Sequence, residues 1–112
     1  MTANPDRILL TIMLKHQQDK NLAEINAKLE STEFRKRFPP EGTDVVSWYV
    51  MMGIGQVVTL SVPAGKLRDV NLAIEHCAWG AFDTEFYATY DFRPIWERQR
   101  REASASPDSS RP

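Results

Sequence analysis

Val45–Met52 reads VVSWYVMM and Val57–Val62 reads VVTLSV, with Gly53-Ile54-Gly55 and Gln56 between them. β-Branched and aromatic residues dominate both runs, as a pleated, half-buried strand prefers. Glycine tolerates the positive φ of a tight connection, so the stretch predicts a β-hairpin. Gly53 and Gly55 are turn residues in this reading. No GxGxxG spacing leads from a strand into a helix, so no phosphate-binding loop is expected.

Upstream of the hairpin, Ile8–Lys15 (ILLTIMLK) is a short apolar run bounded by polar residues and predicts a buried first strand. Leu22, Ile25 and Leu29 then recur at helical spacing, with Asn21 or Asp19 able to cap the helix start. Pro39 and Pro40 stop any helix continuing through Phe34 and Phe38. Downstream, Pro63 stands where a helix can begin. Leu67, Val70 and Ile74, continued by Cys77 or Ala78, form a second apolar stripe, which Gly80 ends. Glu85–Phe92 alternates Phe86, Ala88, Tyr90 and Phe92 against Glu85, Tyr87, Thr89 and Asp91, and predicts the last strand. Pro94–Glu102 predicts a short helix anchored by Ile95 and Trp96, and residues 103–112 a disordered tail. The expected organisation is one domain over 1–102 followed by that tail.

The order strand, helix, strand, strand, helix, strand is an α+β, ferredoxin-like β-α-β-β-α-β arrangement. It implies a four-stranded antiparallel sheet with both helices on one face. A solvated second face should alternate into charge. Instead it is expected to hold Leu9, Met13, Tyr49, Met51, Val57 and Tyr87, with no charge until the strand ends. Trp48, with Val46 and Val50, is expected on the helix-covered side. Covering five or six such side chains contributes on the order of 10 kcal/mol before ordering costs. The expected solution is a homodimer with two sheets packed face to face.

Element order, chain length, the aromatic second strand and the doubly apolar sheet resemble the dimeric α+β barrel superfamily over residues 7–92. Muconolactone isomerases, EthD-like proteins, antibiotic-biosynthesis-type monooxygenases and stress-responsive barrels belong to it. The resemblance implies a small, cyclic or aromatic ligand in a cavity between sheet and helices, with no cofactor. It implies isomerase, lyase or monooxygenase chemistry; the alternative is a non-catalytic ligand carrier, stress-associated protein or assembly module.

Bulk properties narrow the partners. The 112-residue chain is 42% hydrophobic and 26% charged with a net charge of −1, which offers no general attraction to nucleic acid or anionic membrane. The strands carry no interior Lys or Arg for an RNA-binding sheet. Arg93, Arg98, Arg100 and Arg101 are interrupted by Glu97 and Glu102, as on a solvated helix face. No apolar run approaches the roughly 20 residues of a membrane span. Cys77 is the single cysteine, so no thiolate metal cluster or intrachain disulfide is expected, and a cytoplasmic location with a reduced thiol follows.

The expected catalytic residues are His16, Tyr49 and Tyr87. His16 closes the first strand, where an imidazole can act as a base near neutral pH. The tyrosines would orient a substrate oxygen. Thr11, Met13, Met51, Trp79 and Tyr90 are expected to line the ligand site. The plain alternatives are an exposed loop histidine and aromatics used in the core or the dimer seam. Glu75, His76 and Cys77 point about 100° apart on a helix and cannot converge on a metal.

Overall fold

The hairpin forms as expected. In the computed structural model, which describes residues 6–105, β2 (Asp44–Met51) pairs antiparallel with β3 (Gly55–Pro63). Gly53 takes φ 78° in the turn. Gly55, at φ 154°, has a different role. A Cβ placed there would lie 2.0 Å from the carbonyl oxygen of Leu14 and 2.9 Å from Cα of Lys15. Only the absence of a side chain lets β3 approach β1 (Arg7–His16) this closely.

β1 takes the centre of the sheet, antiparallel to β3 on one side and to β4 (Phe82–Thr89) on the other. The resulting order is β2-β3-β1-β4, an all-antiparallel, four-stranded α+β arrangement compatible with a ferredoxin-like fold. α1 (Leu22–Ser31) begins with a capping box: Asn21 accepts from the Glu24 amide while the Glu24 carboxylate accepts from the Asn21 amide. A four-residue α2 (Phe34–Arg37) follows, ahead of the prolines. α3 (Leu67–Cys77) starts after a 3-10 turn at Ala64–Lys66, because Pro63 still belongs to β3.

One face of the sheet is dry. Leu10, Ile12, Leu14, Val58, Leu60 and Val62 are buried against Ile25 and Leu29 of α1 and Val70, Ile74 and Cys77 of α3. Alternation puts Leu9, Thr11, Met13, Val57 and Thr59 on the other face, which no helix covers. Cys77 is a buried core residue, 1% exposed.

Four expectations need correction. The last strand runs over Phe82–Thr89, not Glu85–Phe92, so Glu85 sits mid-strand. It faces the open side opposite Met13, and Lys15 lies beside it, so that face is not free of charge. Val46 and Val50 are not under the helices: they are 56% and 72% exposed. A register shift between Val45 and Ser47 puts Val45, opposite Leu60, on the Trp48 side, and α1 and α3 do not reach over this edge strand. Finally, α4 (Arg93–Ala105) runs three residues into the expected tail, while residues 106–112 lie outside the described region.

α4 buries none of its residues and leaves Trp96 52% exposed. The radius of gyration is 18.5 Å, against about 13 Å for a compact chain of this length. Among the described residues no helix is long and apolar enough to cross a membrane.

Candidate functional site

At the end of the sheet where β1 stops and the hairpin turns, α1 and α2 do not close down fully on the strands. A cavity of about 460 Å³ remains there, within the size range of small-molecule sites. Its wall is a chain of rings. His16 stacks on Phe82 with centroids 5.7 Å apart and planes at 21°. Phe82 meets Phe34 at 6.2 Å, Phe34 stacks on Phe38 at 5.2 Å, and Phe38 meets Trp48 edge-on at 5.7 Å. Leu22, Ile25 and Leu29 of α1 add the aliphatic part of the lining.

Local sequence explains each placement. His16 follows Leu14 by two in β1, so it shares the helix-covered face, and it pairs across the sheet with Phe82. Phe34 opens α2 and Phe38 is the extended residue that ends it, its N–H on the Phe34 carbonyl at 2.9 Å, and the two rings stack. Trp48 pairs with Val58 and therefore also faces the helices.

Among the described residues the polar side chains in this lining include His16, Asn26, Arg35 and Gln56, and no carboxylate. Gln56 Oε1 accepts from Trp48 Nε1 at 2.6 Å, which fixes the indole and leaves the Gln56 amide nitrogen to donate. Arg35 Nη2 donates to Asn26 Oδ1 at 3.3 Å. The His16 ring nitrogens make no hydrogen bond among the described residues, while its backbone N–H is held by the Ile54 carbonyl at 2.8 Å. Ring and backbone are thus positioned while both nitrogens stay available.

The residues expected to converge do not all meet. His16 lines the cavity, but Tyr49 and Tyr87 lie on the opposite face of the sheet, with Thr11, Met13 and Met51. A backbone layer separates the two groups, so the three expected catalytic side chains cannot touch one substrate within a single chain. Trp79 is 55% exposed, donates to Thr84 Oγ1 at 3.2 Å, and borders a separate hollow with Gln17 and Asp83. Tyr90 is beyond the strand end and 75% exposed. The expected aromatic cluster at the α3–β4 junction is therefore split. Phe82 and Phe86 face the core, Tyr87 faces away, and Trp79 and Tyr90 face solvent.

Alternation locates His16 on the helix side, while the β1–β4 register puts Tyr87, and the β2–β3 register Tyr49, on the other. Arg35, Asn26 and Gln56 carried no signal in the chain. They share the cavity lining only because α1, α2 and β3 meet at this end of the domain.

The open face carries a second polar group. Lys15 Nζ lies 2.8 Å from Glu85 Oε2, and Tyr87 donates to Glu85 Oε1 at 3.0 Å. The hydrogen bond from Lys15, with that from Tyr87, holds the Glu85 carboxyl below its usual range. Glu85 in turn pushes the Lys15 ammonium and the Tyr87 phenol up. Both carboxylate oxygens are engaged, so this trio is self-satisfied. Beside it, Thr11 Oγ1 lies 2.9 Å from Thr59 Oγ1 and 3.1 Å from Thr89 Oγ1. Among the described residues no group of histidine, cysteine and carboxylate side chains could hold a metal ion.

Comparison with known proteins finds no matching family model, no matching curated protein and no matching solved structure. The class the fold defines is an α+β domain with one helix-covered and one open sheet face. Function has to be argued from the site itself.

Proposed function

We propose that the chain is a small-molecule-binding protein whose ligand sits between the helix-covered sheet face and helices α1 and α2. The observation that carries this is the ring-walled cavity with an unpartnered imidazole in it. Ring and aliphatic walls interrupted by a few placed polar groups are what small-molecule sites usually present. A flat, cyclic or aromatic compound matches walls made of Phe34, Phe38, Trp48 and Phe82.

His16 is the side chain in the lining whose ring nitrogens can take and return a proton. The chemistry this supports is cofactor-independent proton transfer, as in an isomerase or lyase. With the ligand's acidic C–H against the ring, an imidazole nitrogen takes the proton and returns it elsewhere on the ligand, so atoms and charge balance. The non-catalytic carrier has its own observation: no carboxylate orients the His16 imidazole, as usually happens where histidine is a strong base.

The same reading takes the chain as a ferredoxin-like, dimeric α+β barrel, with a second copy covering the open face. Tyr49, 68% exposed, and the half-buried Leu9, Met13, Met51 and Val57 support it.

The test is ligand capture by the intact protein, read by native mass spectrometry and by the Trp48 indole signal in NMR. A ring compound that binds wild type but not Ile25→Trp, which fills the cavity, supports the site. Turnover lost in His16→Ala with binding kept assigns an enzyme that uses His16, ring-compound binding without turnover in wild type assigns a carrier, and turnover unchanged in His16→Ala rejects His16 as the base. Capture that survives Ile25→Trp in folded protein rejects the cavity.

A further inference from the structure

The polar side chains that face the cavity carry more information than its volume. Gln56 Oε1 accepts from Trp48 and Asn26 Oδ1 accepts from Arg35, and both amide nitrogens keep N–H groups to donate. Arg35 adds a permanent positive charge with four further N–H donors in a planar fork. Glu30, Glu33 and Lys36 border a different hollow on the outer side of Arg35. Glu33 is paired with Lys36 at 3.8 Å, and among the described ion pairs none involves Arg35.

A cavity that offers donors and a cation, but no carboxylate, complements an acceptor-rich anion. Resting on the reading of the cavity as a ligand site, we infer that its ligand is a planar ring compound bearing a carboxylate. The ring lies among Phe34, Phe38 and Trp48, and Arg35 receives the carboxylate, with Asn26 adding a donor beside it. Arginine forks pair with carboxylates through two parallel hydrogen bonds, which orients the ligand as well as holding it. His16 stands across the same cavity on Phe82. A carboxylate fixed at Arg35 directs the far side of the ring toward the imidazole and keeps negative charge away from it.

The experiment compares 2-naphthoate with its neutral isostere 2-naphthamide on the full chain, by titration calorimetry and the Trp48 indole N–H resonance. Wild type should bind the carboxylate about tenfold or more tighter than the amide, as a charge-assisted pair allows. Arg35→Gln, at an exposed position that leaves the core untouched, should remove that preference while amide binding stays. Lys36→Gln, the same charge change on the outer side of α2, should keep it. Equal affinities for the two probes in wild type, with the indole signal moving for both, overturn the carboxylate inference and leave the ligand cavity standing. An equal loss of preference in Lys36→Gln overturns the role of Arg35. If neither probe moves the Trp48 or His16 signals, both the inference and the cavity reading fall.

Discussion

The imidazole of His16 lies over the ring of Phe82, 5.7 Å away and 21° from parallel, although 66 residues separate them in the chain. The β1–β4 register makes them direct cross-strand partners. Phe82 is 3% exposed and anchors the core, while His16 is only half-buried at the cavity rim. The two should separate under mutation. Phe82→Ala is expected to cost about 3–5 kcal/mol of unfolding free energy in urea titration. His16→Ala should cost less than about 1 kcal/mol and act on the ligand instead. A large stability loss in His16→Ala would show the ring to be structural.

The two hairpin glycines should behave oppositely. Gly55→Ala drives a methyl group into the Leu14 carbonyl and should destabilise the domain by about 3 kcal/mol or more. Gly53→Ala meets nothing within 4 Å and carries only the strain of φ 78°, about 1 kcal/mol. Thermal unfolding of the pair decides it, and similar melting temperatures would contradict the β1–β3 approach.

Asn21→Ala removes the cap of α1, the helix that supplies Ile25 and Leu29 to the cavity. A loss of about 1 kcal/mol is expected, with faster amide exchange confined to the first turn of α1. Exchange unchanged at Glu24 and Ile25 would refute the capping role.

Asp91 accepts from the backbone N–H and the guanidinium of Arg93, the first residue of α4, and these hydrogen bonds lower its pKa to about 2. A depressed carboxylate contributes above its unfolded value near 3.8 and stops contributing as pH falls through about 2. The start of α4 should therefore loosen between roughly pH 4 and pH 2, seen in the Arg93 amide shift. Asp91→Asn should flatten that transition, and a midpoint near 4 would break the assignment.

The open face predicts self-association. Met13→Arg, central on β1 opposite Val57, should convert a dimer to a monomer in light scattering without loss of secondary structure. Wild-type protein that is monomeric at all concentrations would end the face-to-face reading.

The sequence by itself determined a good deal. Two-residue alternation located the strands and sorted β1 and β3 into a core side and an open side. Helical spacing found α1 and α3, with the cap of α1 open between Asn21 and Asp19 until the capping box assigned it to Asn21. These features are local: each depends on neighbours within four residues, and strand and helix periods differ enough to be told apart. The start of β4 is not a local feature, because Phe82 lies in a loop-like stretch after Gly80. There burial against Phe34 and pairing with His16 decided the strand. The site was set by tertiary structure. His16, Arg35, Trp48 and Phe82 come from four different elements, and nothing in their spacing marks them as neighbours. Tyr49 and Tyr87 were chemically as plausible as His16, and the sheet divides them from it. A backbone layer is opaque to side chains, so which residues share a pocket depends on strand register and on which face the helices cover. Both are long-range outcomes of packing.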